Sequence, residues 1–526
     1  MPTTKEKVEV LESDLQNSFS KVYSCGLAGV EGYTVEIEVV ISGGLPNFIL
    51  VGLPDTAINE SKERVRAAIK ASGLEFPSKK IVVNLAPADT KKAGPTYDLP
   101  IALGILAGSN ILNKENLEGL FVAGELGLSG KIRQVNGLLS FVILAKSKNA
   151  KGVIIPKDNL QEASLIKGIN LYPVSDLSET INIINNLNKI KAFQADIQKE
   201  STSKNSEFQI DLNEVKGQVL AKRAFEIAAC GQHHILMIGS PGTGKSMLAQ
   251  RLITILPMLT HEEKIEVTQI YSAAGKLNKE KSLISLRPFR APHHSTSIAG
   301  LIGGGSFPQP GEISMAHNGV LFLDEFTEFQ KQVLDSLRQA LESREITISR
   351  SRRSCTFPCD FTLIAACNPC SCGYLGDSLK KCNCSASSIK KYQSKISGPI
   401  LDRIDMQIEV KRLSENELIS PGKQESSKEI FNRVVKTREV QYKRHKNNKL
   451  NSHLSPKEIK QFCKINNPGM LILKDAIKTL GLTGRSYDRL LKISRTIADI
   501  DNSDIINDEH ILEALQFRLN TFNNLR

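Results

Sequence analysis

The chain has 526 residues, of which 40% are hydrophobic and 5% aromatic, and its 68 Lys+Arg against 56 Asp+Glu give a formal net charge of +12. That length allows two or three domains, each with its own core. No apolar run reaches bilayer length and the first residues, Met1-Pro-Thr-Thr-Lys-Glu-Lys, are polar, so neither a membrane helix nor an export signal is expected, and the chain reads as cytoplasmic with reduced thiols.

The N-terminal part reads as an α/β domain over residues 1–187. Val35–Ser42, Phe48–Leu53, Ile81–Leu85 and Phe121–Leu126 have strand patterns, and Ile58–Ser72 and Leu99–Gly108 have helical ones. The stretch Asp89–Gly104 and Gly124-Glu-Leu-Gly-Leu-Ser-Gly130 resemble the Lon-protease-like fold. A Lon-type peptidase needs a serine nucleophile beside a lysine base. The resemblance puts Thr96 at the serine's place and Leu139 at the lysine's, so no peptidase activity is expected, and the domain is read as a DNA-binding or ring-stabilising collar. Residues 188–207 are polar without a sustained apolar stripe and read as a linker.

Residues 208–411 carry the chemistry. Gly239-Ser-Pro-Gly-Thr-Gly-Lys-Ser246 lies between an apolar run, His234-Ile-Leu-Met-Ile238, and a helical pattern from Met247. Strand, glycine-rich turn and helix in that order make a phosphate-binding P-loop. Glycines let backbone N–H groups converge on phosphate oxygens, and the helix adds the positive end of its dipole. Here Gly239, Ser240, Pro241, Gly242, Thr243 and Gly244 form the cradle, Lys245 supplies a charge for the β and γ phosphates, and Ser246 suits magnesium. ATP with magnesium is the expected ligand.

Downstream, Arg287-Pro-Phe-Arg-Ala-Pro-His-His294 is a loop whose two histidines lack a third nearby ligand, and so read as polar contacts. Gly319-Val-Leu-Phe-Leu-Asp-Glu-Phe326 is a buried-strand pattern ending in two acids. Asp324 there can hold the magnesium shell, and Glu325 can polarise the attacking water. Arg344–Phe357 alternates and turns like a β-hairpin, bearing Arg350, Arg352 and Arg353. Asp360–Asn368 is another apolar strand, whose terminal Asn368 could position the water or read the γ-phosphate.

Ten cysteines are unevenly used. Cys370-x-Cys372 and Cys382-x-Cys384, nine residues apart, form an insertion at 370–384 able to close a tetrahedral structural zinc site. Cys25, Cys230, Cys367 and Cys463 read as small buried residues, while Cys355 and Cys359 flank the hairpin without an assignment. Ser397–Asp405 offers Arg403, able to neutralise charge on a phosphoryl group. Residues 412–526 read as a helical lid, entered by a helix within Lys423–Lys449 on which Ile430, Val434 and Val435 recur at helical spacing.

This order of motifs resembles an AAA+ ATPase. Arg287–His294, Gly303–Ile313, Ala316–Glu325 and Asn368-Pro-Cys-Ser-Cys-Gly373 more specifically resemble the magnesium-chelatase-like branch called ComM or YifB, over roughly residues 17–520. One departure is Ser371, where the family has proline. The resemblance implies a hexameric ring that hydrolyses ATP between subunits and moves single-stranded or branched DNA through its pore, promoting branch migration in homologous recombination and natural transformation. It implies that Arg403 acts on the neighbouring subunit's nucleotide, that Arg485 of Gly484-Arg-Ser-Tyr-Asp-Arg489 is a second sensor, and that the hairpin projects into the channel with Arg350, Arg352 and Arg353 on phosphates. Charge agrees: residues 1–200 hold 22 Lys+Arg and 22 Asp+Glu, whereas 201–526 hold 46 and 34, placing all the excess in the motor half. The alternative is a magnesium-chelatase-type ATPase subunit acting on a protein partner; a third reading, an AAA+ protease, is disfavoured by Leu139.

Overall fold

The computed structural model describes residues 18–194, 209–277, 283–305, 307–350, 353–419, 422, 424–445 and 449–518. The N-terminal unit is built on a seven-stranded mixed sheet of β1 (Phe19–Ala28), β2 (Glu31–Ser42), β3 (Asn47–Val51), β4 (Lys80–Ala86), β5 (Leu120–Val122), β6 (Gly152–Pro156) and β7 (Leu171–Val174). Its order is β3-β4-β2-β1-β5-β6-β7. β2 alternates buried and half-buried positions, Val35, Ile37, Val39 and Ile41 facing the core, the period-2 pattern of a sheet covered on one face. Helices α1 (Thr56–Ala71), α2 (Asp98–Gly108) and α3 (Leu138–Ser147) pack on it, and α2 is buried along its whole length. The sequence pattern Phe121–Leu126 divides in two because Gly124 bonds the turn before α2 and the first turn of α2 itself: its N–H donates to Thr96 O and its carbonyl accepts from Leu99 N, each at 3.0 Å.

Of the segment 188–207, residues 195–207 lie outside the described residues. The preceding stretch is not free chain, since Phe193 and Leu171 exchange backbone hydrogen bonds of 2.9 and 3.0 Å.

The second unit has a five-stranded sheet. Its strands are β8 (Ile235–Ile238), β9 (Phe289–Arg290), β10 (Val320–Leu323), β13 (Thr362–Cys367) and β14 (Met406–Glu409), with a hairpin of β11 (Glu345–Arg350) and β12 (Arg353–Pro358) standing apart. The order β9-β10-β13-β8-β14 is parallel throughout. β8, β10 and β13 are fully buried, as parallel strands covered by helices on both faces must be. The helices that matter for the site are α4 (Lys245–Arg251), α5 (His261–Ala273), α6 (Ile298–Ile302) and α7 (Lys331–Ser343).

A helical C-terminal region follows: α8 (Ser427–Arg444), α9 (Asn467–Leu480), α10 (Gly484–Ile500) and α11 (Asp508–Gln516). Each starts on a side-chain cap, from Ser426, Asn466, Thr483 and Asn507 respectively, which satisfies N–H groups the first turn leaves unpaired. Ile430, Val434, Leu490, Ile493 and Ile497 join Ile235 and Met237 of β8 in one apolar cluster, so the lid and the sheet share a core. No helix among the described residues is long and apolar enough to cross a membrane.

Candidate nucleotide site

The P-loop joins the C-terminal end of β8 to α4, the edge at which parallel sheets take their ligands. Gly242 and Gly244 hold φ of 79° and 89°, a region that side chains with a Cβ avoid. Thr243 Oγ1 donates to Ser240 O at 2.9 Å, and Gly239 N–H donates to Cys367 O of β13 at 3.2 Å. Lys245 is 8% exposed. Its amine donates to Gly239 O at 2.6 Å, to Ser240 O at 3.0 Å and to Asn368 Oδ1 at 3.3 Å. Burial lowers its pKa, an effect that the Asp324 charge opposes.

On the other side, Ser246 Oγ donates to Asp324 Oδ2 at 2.7 Å. A hydroxyl paired with a carboxylate offers hard oxygen ligands and fits a magnesium shell. Glu325 has a φ of 49°, and its N–H donates to Asp324 Oδ1 at 2.9 Å. Five side chains separated by up to 123 residues, Lys245, Ser246, Asp324, Glu325 and Asn368, thus converge on one edge. They offer a cation for phosphoryl oxygens, ligands for a divalent ion, an acceptor for a water proton and a carboxamide beside the lysine.

The two arginines sit elsewhere. Arg403 precedes β14, and Asp405 N–H donates to His234 O at 3.1 Å, so Arg403 lies at the N-terminal edge of the sheet, opposite its own P-loop. Its guanidinium is buried and donates to Pro399 O and to Glu342 at the end of α7. Arg485, exposed on the first turn of α10, lies 3.9 Å from the same Glu342 carboxylate. The last residue of the motif that holds Arg485 ties lid to sheet: Arg489 Nη1 donates to Asp405 Oδ1 at 2.9 Å.

The cysteine loop packs on the P-loop. Sγ atoms of Cys370, Cys372 and Cys382 lie 3.4 to 3.7 Å apart, and all four, Cys384 included, are within 4.8 Å of one another. A tetrahedron with Zn–S bonds of about 2.3 Å has edges of about 3.8 Å, so the donor set fits zinc. Desolvation works against the Cys372 thiolate, but the Tyr374 N–H and neighbouring thiols draw its pKa down to about 6. Next in the loop, a Cβ on Gly373 would stand 2.8 Å from Pro241 Cδ. Cys25, Cys230, Cys367 and Cys463 are buried as small core residues. Cys355 does not flank the hairpin but lies within β12, paired with Ile348.

Arg350 and Arg353 are the last paired positions of the hairpin, and Arg352 lies outside the described residues. In the N-terminal unit, Leu139 is fully buried on α3. Thr96 lines a cavity of about 240 Å³ that is walled also by Leu138, Lys91 and, from the second unit, Phe307, Pro308 and Gln309.

Sequence reasoning passed over one residue and left a second, read as a polar contact, without its partner. Glu342 carries no motif and is found only by its position between two arginines. His294 was legible in the Pro-His-His sequence, and the structure sets its Nδ1 2.9 Å from Glu325 Oε2.

Comparison with known proteins places the site in a family. The model described as "Magnesium chelatase, subunit ChlI" matches residues 211–418, "Subunit ChlI of Mg-chelatase" matches 37–159, and "Magnesium chelatase, subunit ChlI C-terminal" matches 424–518. The chain is 43% identical over 503 residues to Competence protein ComM of Haemophilus influenzae, covering 95% of this chain and 97% of that protein. It is 42% identical over 504 residues to the uncharacterized protein YifB of Escherichia coli, with the same coverage of 95% and 97%. A Lon protease of Leptospira interrogans is 31% identical over 164 residues, 29% of this chain and 19% of that protein.

Proposed function

The chain belongs to the ComM/YifB family, with magnesium-chelatase-like AAA+ domains, and from that premise we propose that it is an ATP-driven, hexameric DNA translocase that promotes branch migration when DNA is integrated by homologous recombination, natural transformation included. The observation that carries the reading is an arginine-ended β-ribbon, Arg350 paired with Arg353, on the same body as the ATP site. That body also holds the chain's whole excess of positive charge, 46 Lys+Arg against 34 Asp+Glu over residues 201–526, as a polyanion in a pore requires. One relative aligned along nearly the whole chain is named a competence protein, which supports the same reading.

In this reading residues 1–187 form the Lon-like collar, 188–207 the linker, 208–411 the motor and 412–526 the lid. Lys245 binds the β and γ phosphates, and Ser246 and Asp324 hold the magnesium ion that neutralises their charge. Glu325 takes a proton from the attacking water, with Asn368 beside the γ-phosphate. Arg403 and Arg485 share Glu342 at the sheet edge remote from their own P-loop. Arg403 so placed would serve the nucleotide of a second copy, as hydrolysis between subunits of a ring requires, and Arg485 would act as a second sensor. The four thiols hold a structural zinc that fixes the loop against the P-loop. We place it in the cytoplasm, where its thiols would stay reduced; among the described residues no helix is long and apolar enough to cross a membrane.

ATP turnover measured with no DNA, with a single strand and with a branched duplex tests the reading. DNA should stimulate the wild type, and Glu325→Gln should lower kcat by about 10²- to 10⁴-fold while nucleotide still binds, the range for losing a general base. Turnover at one rate whatever DNA is offered, with none retained, would sink the translocase and favour an ATPase subunit acting on a protein partner. Electron micrographs with ATP and a forked duplex report the subunit number.

A further inference from the structure

The loop that carries the four thiols reaches the P-loop at a second point, through a carboxylate. Asp377 lies midway between Cys372 and Cys382, and its side chain is 1% exposed. Oδ1 accepts the Leu379 N–H at 2.9 Å and the Lys380 N–H at 3.0 Å, and Oδ2 faces Arg412 Nε at 3.4 Å. The Leu379 N–H, the Ser240 hydroxyl and the Lys380 N–H draw its pKa down to about 2, so the group is charged at neutral pH.

The partners of Asp377 come from two other parts of the ATPase body. Ser240 is the second residue of the P-loop and is buried. Arg412 belongs to the segment that leaves β14 for the lid, and that segment is pinned to the sheet. Val410 N–H donates to Ile238 O at 2.8 Å, Gln218 Nε2 donates to Lys411 O at 2.6 Å, and a Cβ on Gly239 would collide with Val410 O. Between the three pieces lies a cavity of about 320 Å³, walled among others by Ser240, Pro369, Leu375, Asp377, Val410 and Arg412. Where packing leaves a void, position must come from hydrogen bonds, and those of a charged group are the strong ones. A bare carboxylate beside a phosphate cradle would also repel the ligand, and the Arg412 guanidinium offsets that charge.

We propose that Asp377 is a positioning residue for the nucleotide: it holds the Ser240–Pro241 turn of the P-loop in register with the phosphates and, through Arg412, ties that turn to the segment entering the lid. This inference rests on the nucleotide-site reading above.

The test is steady-state ATP hydrolysis by the full chain without DNA, for wild type, Asp377→Asn, Arg412→Ala, Arg412→Lys and the double variant Asp377→Asn/Arg412→Ala, with Lys245→Ala as control. Asp377→Asn keeps an oxygen for the Leu379 and Lys380 N–H groups but loses the charge that Arg412 pairs with. It should raise KM for ATP roughly 10-fold or more, the usual effect of losing a hydrogen bond to a charged group. Arg412→Ala should do the same and the double variant no more than either, because the two side chains act as one unit. Arg412→Lys, which keeps the charge, should recover most of the loss. For all four, kcat should stay within about 2-fold of wild type, since a uniform loss of nucleotide binding moves KM alone, and metal content and thermal midpoint should match wild type. An unchanged KM in Asp377→Asn, or effects that multiply in the double variant, overturn the role of Asp377 alone. So does a KM rise that comes with lost metal or a lower midpoint, which would assign Asp377 to the fold of the loop. A wild type that turns over ATP no faster than Lys245→Ala overturns the nucleotide-site reading and this inference together.

Discussion

His234 joins two strands of the ATPase sheet through its ring, since Nδ1 accepts the Leu363 N–H of β13 at 3.1 Å. Only an unprotonated Nδ1 can accept that bond. Burial lowers its pKa from 6.5 to about 4, an effect that Asp405 opposes and Arg489 and His233 reinforce. The folded value lies below the unfolded one, so the unfolded chain takes up the proton first as pH falls. The stability His234 contributes is present above 6.5 and is lost between 6.5 and about 4. The urea midpoint should therefore drop across that window, and His234→Gln should flatten the drop. Asp405, held well below its usual value against burial by Arg489 and His233, adds its own loss only below 3.8.

At the scale of elements, the loop from Cys370 to Cys384 is an addition to the sheet whose only regular structure begins past it, at Ala386. Backbone without a core to pack on needs a crosslink to keep one conformation. Purified chain should contain about one zinc per molecule by elemental analysis, the stoichiometry of a four-thiolate structural site. Cys372→Ser and Cys382→Ser should lose the metal and weaken ATP binding, because Gly373 rests on Pro241 of the P-loop. Metal-free protein that binds nucleotide as tightly as before would remove the loop from the site.

For the whole molecule, the seam between the two units decides whether they move as one. Glu162, 5% exposed in the N-terminal unit, accepts from Leu139 N–H at 2.9 Å and Asn159 Nδ2 at 3.0 Å, and from Ser272 Oγ across the seam. Burial raises its pKa, while the Ser272 and Asn159 bonds oppose the shift. Alongside, Gln269 Nε2 on α5 donates to Val30 O at 2.7 Å, and Gly137 N–H donates to Ser272 O at 3.1 Å. Val30 itself lies in the apolar cluster of the hairpin. Glu162→Ala leaves buried donors unpaired at a cost of about 1–3 kcal/mol. Calorimetry should show one unfolding endotherm for the wild type and two for Glu162→Ala; a single unshifted endotherm would mean that the seam is held elsewhere.

The P-loop, the Asp324-Glu325 strand end, the Asn368 strand and the paired cysteines were legible because each is written within a few consecutive residues: apolar strand, turn, polar terminus. Sequence therefore determined the α/β class and marked out the candidate phosphate site, down to the hairpin at Glu345–Pro358. It missed β1, β6 and β7, and it could not show Arg403 buried on Glu342, His294 on Glu325 or Glu162 across the seam. Those pairs join residues 31 to 110 positions apart, on elements whose local patterns say nothing about partners. Only tertiary packing, which chooses the neighbours each buried polar group must find, decided them.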